Sequence, residues 1–65
     1  MTPAQLYALR QTLELSQPEM GYALGRTAET ICRYERGDRA IPRIVELACR
    51  GLAAELLAMP SRHVA

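Results

Sequence analysis

The sequence predicts an all-α fold: a small domain of four helices, or five, with no segment that alternates as a strand does. Three Ser or Thr residues stand where they can cap a segment whose apolar residues recur at helical spacing. Glycine or proline separates these segments. A chain of 65 residues buries only about 60% of the surface that it exposes when unfolded. We therefore expect an oligomeric partner to support its core.

Helices 1 and 2 each begin at a capping box, in which Ser or Thr is followed three residues later by Glu or Gln. The first box is Thr2-Pro3-Ala4-Gln5 and the second is Ser16-Gln17-Pro18-Glu19. The apolar spacing carries helix 1 over about residues 3–13. Helix 2 ends at Gly25, because glycine suits the left-handed position after a helix.

Helices 3 and 4 are bounded by the same kinds of signal. Thr27 caps helix 3, which covers about residues 28–36 and ends at Gly37. Ile41-Pro42 begins helix 4, because proline is accepted in a first turn, and this helix covers the chain to about residue 58.

The helix boundaries and the apolar positions predict one domain and its core. We expect residues 1–58 to form the folded domain and residues 59–65 a flexible tail. The apolar residues predicted to form the core are Leu6, Leu9, Leu13, Met20, Leu24, Ile31, Tyr34, Ile44 and Ala48.

Helices 2 and 3 are each about two turns long and are joined by a glycine-containing turn of three or four residues. This is the pattern of a helix-turn-helix. On helix 3, Ile31, Tyr34 and Glu35 share a side suited to the core. The opposite side carries Ala28, Glu29, Cys32 and Arg33. Arginine supplies all eight cations of the chain, and five of them fall within residues 26–43.

The run LRQTLELSQPEMGYALGRTAETICRYERGDRAIP resembles the helix-turn-helix of the lambda repressor/Cro (XRE-like) family of transcriptional regulators, and the resemblance covers roughly residues 6–56. Its specific elements are Leu15-Ser16-Gln17, Leu24-Gly25, Thr30-Ile31, Arg33-Tyr34-Glu35-Arg36-Gly37 and Ile41-Pro42. Two positions depart from the family pattern: Arg26 stands where an apolar residue is usual, and Pro18 where Glu is frequent.

This resemblance implies a protein that binds double-stranded DNA through helix 3 in the major groove. The family's base-reading positions match Ala28, Glu29, Cys32 and Arg33. Arg33 is the leading candidate for a guanine contact, against a contact with phosphate alone. Glu29 has three possible roles: it accepts from a cytosine amino group, repels phosphate, or pairs with Arg33 one turn away. The residues expected to contact phosphate are Gln17, Arg26, Thr27, Arg36 and Arg39.

Two further features follow from the resemblance. Arg10 and Glu35 occupy positions that pair in the family as a partly buried salt bridge between helices 1 and 3, so we interpret them as structural. The family commonly forms two-fold dimers on palindromic sites. Helix 4 is more apolar than one core requires, so we expect a homodimer built on Leu52, Leu56, Leu57 and Met59. The alternative is that Leu52 and Leu56 close the core of the monomer.

The function that this resemblance implies is that of a transcriptional regulator, a repressor of the Cro/C1 type from a phage or a prokaryote. The alternative is an antitoxin that binds its own operator and a toxin protein. We expect no enzymatic activity, no cofactor, no metal site and no small-molecule ligand, because the chain has one histidine and its two cysteines are 17 positions apart. The first residues contain no apolar run of the length of a signal peptide, and no stretch approaches the roughly 20 apolar residues of a membrane span. We therefore expect a cytoplasmic, nucleoid-associated protein.

Overall fold

The computed structural model describes residues 1–58, and this part of the chain contains four α-helices and no strand. The helices are α1 (Pro3–Thr12), α2 (Gln17–Leu24), α3 (Ala28–Arg36) and α4 (Arg43–Leu57). The predicted all-α fold is therefore confirmed, with four helices. None of these helices is long and apolar enough to cross a membrane. The predicted tail, residues 59–65, lies outside the described residues.

The first three helices begin at the caps that the sequence predicts. The hydroxyl of Thr2 accepts the backbone N–H of Gln5 at 3.1 Å, and the Gln5 side chain accepts the N–H of Thr2 at 2.8 Å. Ser16 and Glu19 repeat this arrangement at 3.1 and 2.8 Å. Thr27 accepts the N–H of the residue three positions later at 3.1 Å. Each cap satisfies backbone donors that a helix start would otherwise leave unpaired.

The same left-handed turn ends α1, α2 and α3. Its central residue is Glu14, Gly25 or Gly37, with φ of 57°, 70° and 79°. In each turn this residue donates to the carbonyl three positions back, and the next residue donates to the carbonyl five positions back. Two of the turns use the glycine that the sequence predicts. Glu14 adopts the same conformation although its side chain disfavours it.

Six buried side chains, contributed by all four helices, form the core: Leu6, Met20, Ile31, Tyr34, Val45 and Cys49. Four of them were predicted from the apolar spacing. Leu9 and Leu24, also predicted, are half-buried and pack against this core.

The prediction for α4 was wrong at Ile44 and Ala48. Ile44 is 64% exposed and Ala48 is also exposed. Val45 and Cys49, one position later in each case, are buried instead. The apolar stripe on α4 is wider than the arc that the other helices cover, so the residues at its edge remain in solvent.

The start of α4 also differs from the prediction. Pro42 was expected in the first turn, but it lies before the helix in an extended conformation, with φ of −64° and ψ of 153°. The first helical residue is Arg43. Because the residue before a helix need not donate its N–H, proline fits this position as well as the first turn.

Candidate nucleic-acid interface

The turn between α2 and α3 consists of three residues, Gly25 to Thr27, and is held close to α2 by Gly21. A methyl group added at Gly21 would lie 2.6 Å from the backbone carbonyl oxygen of Arg26 and 3.1 Å from that of Thr27. Only a residue without a side chain permits this approach. The close contact fixes the direction in which the chain enters α3, and therefore the face that α3 presents to solvent.

The helix α3 has one buried face and one exposed face. Ile31 and Tyr34 are buried in the core. The exposed face carries Glu29 and Arg33, and beside them Ala28 and Cys32 are half-buried. The four residues predicted to read bases therefore lie on the side away from the core, with Ala28 and Glu29 in the first turn of α3 and Cys32 and Arg33 one turn later. Their arrangement offers a donor, an acceptor and two small apolar groups, the chemistry that base edges in a major groove require.

Glu29 and Arg33 form an ion pair along the exposed face of α3. The Arg33 guanidinium donates to the Glu29 carboxylate at 2.7 Å, one helical turn away. The Glu29 side chain is 73% exposed and the Arg33 side chain is 53% exposed. The hydrogen bond from Arg33 lowers the pKa of Glu29 below its ordinary value, so the carboxylate is charged at neutral pH. The Arg33 guanidinium is therefore exposed to solvent, and it already donates one hydrogen bond, to Glu29.

Arg36, at the end of α3, is held by a second carboxylate. Its guanidinium donates twice to Asp38, at 2.6 and 3.0 Å. The left-handed turn at Gly37 directs the chain back, which brings Asp38 beside Arg36. The hydrogen bond from Arg36 to Asp38 raises the pKa of Arg36. The two residues were not paired in the predictions from sequence, although an acidic residue directly after a helix-ending glycine is a usable signal.

Three side chains brace the buried side of α3 against α1 and α2. Arg10 donates to both oxygens of Glu35, at 2.6 and 2.9 Å, and Gln17 donates to one of them at 3.2 Å. Arg10 also donates to the carbonyl of Leu15 in the link between α1 and α2, at 3.0 Å. The Arg10 and Glu35 side chains are only 10% and 7% exposed. The structure thus brings together Arg10 and Glu35, the two residues interpreted as a structural pair.

The charges in this brace are mutually dependent. Burial alone would raise the pKa of Glu35, but the hydrogen bonds from Arg10 and Gln17 outweigh it and hold the pKa below its ordinary value. The hydrogen bond to Glu35 raises the pKa of Arg10. Both groups are therefore ionised at neutral pH, and each compensates the desolvation of the other.

The candidate phosphate contacts are distributed around α3. Gln17 is half-buried at the first position of α2, where its side chain also donates to Glu35. Arg26 is exposed, and its guanidinium donates to the neighbouring carbonyl of Gly25 at 3.2 Å. The hydroxyl of Thr27 caps α3, and Arg39 is exposed in the loop after it.

The candidate dimer residues of α4 do not share one environment. Leu52 is half-buried and packs against the core, and Leu56 is half-buried. Leu57 is 63% exposed. Leu56 and Leu57 line a groove of about 510 Å³ together with residues 12–15. Met59 lies outside the described residues.

The described residues contain no cluster of side chains that could hold a metal ion. Cys32 and Cys49 are both free thiols. Burial raises the pKa of Cys49, which leaves its thiol protonated at neutral pH as part of the core.

Two short helices joined by a tight three-residue turn, with the second helix braced from behind and polar in front, define a helix-turn-helix domain of the DNA-binding class. Comparison with protein families agrees with this geometry: a family model described as a helix-turn-helix domain matches residues 4–59. The chain belongs to this helix-turn-helix family, consistent with its resemblance to XRE-like regulators. Searches of curated proteins and of solved structures gave no match. The family assignment indicates DNA binding and a role in transcription regulation.

Proposed function

We propose that this protein is a sequence-specific transcriptional regulator, a repressor that binds a palindromic operator as a homodimer with α3 in the major groove. One observation carries the DNA-reading role. The face of α3 with Glu29 and Arg33 is exposed, while the Arg10–Glu35–Gln17 brace holds the opposite side. A rigidly held helix with exposed polar groups on its outer face is what base readout requires.

The proposed contacts fall into two classes. Arg33 donates both arms of its guanidinium to the O6 and N7 atoms of a guanine, while Ala28 and Cys32 are small enough to contact a thymine methyl group. Gln17, Arg26, Thr27, Arg36 and Arg39 contact phosphates, which sets the position of α3 without reading sequence. Arg36 must exchange its bonds to Asp38 for phosphate in order to do so.

The test of sequence reading is selection of a binding site from a random pool of duplexes, followed by titration across a salt series. We expect a two-fold symmetric site to be enriched and its affinity to fall as salt rises. Arg33→Ala should lose about 1–3 kcal/mol of discrimination at one base position. The matched control is Arg50→Ala, which removes an exposed arginine from α4 and should leave base preference unchanged. If the pool yields no preferred sequence, α3 does not read bases in this protein.

The homodimer rests on the apolar surface that remains on α4. Leu57 and Ile44 are 63% and 64% exposed, and a domain of this size gains much from covering them. Because Leu52 packs on the core of its own chain, we expect Leu57 to contribute more than Leu52 to the dimer contact. Sedimentation equilibrium should show a dimer, and Leu57→Glu should weaken it more than Ala8→Glu, an equal change of charge on the exposed side of α1. A monomer at all concentrations would contradict this assembly.

Repression itself is tested by transcription. When the selected operator overlaps a promoter, the wild-type protein should lower transcript levels, and Arg33→Ala should restore them. A rise in transcription on addition of the wild type would identify an activator instead.

A further inference from the structure

The two arginines on the exposed side of α3 are each held by a carboxylate of the same chain. Glu29 binds Arg33 at 2.7 Å and Asp38 binds Arg36 at 2.6 Å. Within α3 the two arginines are balanced by two glutamates, so the helix has no formal net charge. A DNA-contacting helix gains affinity for any duplex by presenting free cations. This helix instead presents arginines whose charge is already partly compensated.

The Glu29–Arg33 pair lies on the very face proposed to enter the groove. When Arg33 meets a duplex, the Glu29 carboxylate remains beside any new acceptor, whether or not the pair itself opens. A phosphate oxygen offers a similar acceptor, and bringing it close also places it near the negative charge of Glu29. A guanine edge offers two acceptors in a plane that matches both arms of the guanidinium. The pair therefore disfavours phosphate more than it disfavours guanine.

Glu29 also limits where the Arg33 side chain can lie. The contact spans one helical turn and directs the guanidinium along the helix toward its start, which is the end that contacts base edges in this class of domain. A long exposed arginine without such a partner would explore many conformations and would meet phosphates in most of them.

From this geometry we infer that Glu29 is a positioning residue for specificity: it acts through Arg33, withholding the guanidinium from phosphate and aiming it at a guanine edge. This inference rests on the proposed function, since it requires that α3 reads DNA. It selects one of the three roles that the sequence left open for Glu29.

The experiment is a double-mutant cycle that measures how strongly each protein prefers its operator over a scrambled duplex. The measured quantity is the ratio of dissociation constants for a scrambled duplex and for the operator selected with the wild type, taken at several salt concentrations. The proteins are the wild type, Glu29→Gln, Arg33→Ala and the double variant. Glu55→Gln is the matched control, because it removes one exposed carboxylate from α4. Circular dichroism verifies that all of them are equally folded.

We expect Glu29→Gln to lower the discrimination ratio by about five- to tenfold, at the lower end of the range of about 1–3 kcal/mol that one bidentate base contact supplies. Most of the change should come from tighter binding to the scrambled duplex, with a salt dependence steeper by roughly one phosphate contact. In the Arg33→Ala background the same substitution should change the ratio little. Glu55→Gln should leave the ratio as in the wild type.

Two results would overturn the inference while leaving the proposed function intact. In the first, the wild type discriminates strongly and Glu29→Gln discriminates equally well. In the second, Glu29→Gln has the same effect with and without Arg33, which means that Glu29 contacts a base or repels phosphate on its own. A wild type without any preferred sequence would instead refute the proposed function, and the inference with it.

Discussion

Two Glu–Arg ion pairs on α3 have nearly the same length and opposite surroundings. The Glu35–Arg10 pair is 2.6 Å long with side chains 7% and 10% exposed, and the Glu29–Arg33 pair is 2.7 Å long with side chains 73% and 53% exposed. The first joins α3 to α1, whereas the second joins two residues of α3. Distance alone therefore does not tell what an ion pair does. Burial makes the first pair part of the fold, and exposure leaves the second free to exchange partners.

The two pairs behave differently because they differ in how much water surrounds them. Around Glu35 and Arg10 little water can replace a missing partner, so either charge alone would be left poorly compensated. Around Glu29 and Arg33 water solvates both groups, and the pair adds little to stability. An exposed pair can therefore open on contact with DNA at small cost, while the buried pair keeps the helix in place.

The largest expected effect is the loss of one partner of the buried pair. Glu35→Ala should destabilise the fold by about 3–5 kcal/mol, because it leaves the Arg10 guanidinium buried without its carboxylate. Glu29→Ala is the matched control on the same helix and should change stability little. Urea denaturation followed by circular dichroism measures both. Replacing Arg10 and Glu35 together with Met and Leu should recover much of the loss, and equal effects of Glu35→Ala and Glu29→Ala would refute the comparison.

A second strong effect is expected where the turn approaches α2. Gly21→Ala places a methyl group 2.6 Å from the Arg26 carbonyl oxygen, and backbone atoms cannot move aside as a flexible side chain can. The strain of such overpacking should cost about 1–3 kcal/mol. Gly51→Ala is the control, because no atom lies within 4 Å of the added group and helix propensity improves. Thermal denaturation should therefore show a lower Tm for Gly21→Ala and a higher Tm for Gly51→Ala.

The buried pair also predicts how stability depends on pH. Because the folded-state pKa of Glu35 is lowered, the folded state favours the ionised carboxylate. This stabilisation is fully present above the ordinary pKa of glutamate, about 4.3, and is lost as the pH falls through the lower folded-state value. Urea midpoints measured between pH 7 and pH 2.5 should fall in the acid range. In Glu35→Gln the acid-range decrease should be smaller, and an identical pH profile for this variant would show that other carboxylates cause the acid effect.

Much of this fold could be predicted because its signals are local. The caps at Thr2, Ser16 and Thr27 and the turns at Gly25 and Gly37 depend only on residues a few positions apart. The four helices followed from these signals and from the apolar spacing. The family resemblance likewise suggested Arg10 and Glu35 as partners, and the structure places them in contact.

What could not be predicted depends on how much of a helix its neighbours cover. Ile44, Val45, Ala48, Cys49, Leu52 and Leu56 form one broad apolar stripe in the sequence of α4. Nothing local shows that Val45 and Cys49 are buried while Ile44 and Ala48 are exposed. The Arg36–Asp38 pair is local instead, because the predicted turn at Gly37 brings together two side chains that are two positions apart. It was missed although the sequence carried a usable signal, whereas the pattern of burial on α4 arises from tertiary geometry.

The smallest expected effect concerns the one helix end that the sequence did not mark. Glu14 ends α1 at φ 57°, in the turn for which α2 and α3 use glycine. A side chain in this conformation is strained, and glycine relieves the strain but loses more entropy on folding. The strain costs about 1–2 kcal/mol, and the extra entropy that glycine loses on folding costs about 0.5–1 kcal/mol. Glu14→Gly should therefore stabilise the protein by the difference, roughly 0.5 kcal/mol. Glu14→Ala, which removes the charge and keeps the strain, should show no such gain in urea denaturation. If both variants gained equally, the charge of Glu14 and not its backbone would be the unfavourable feature.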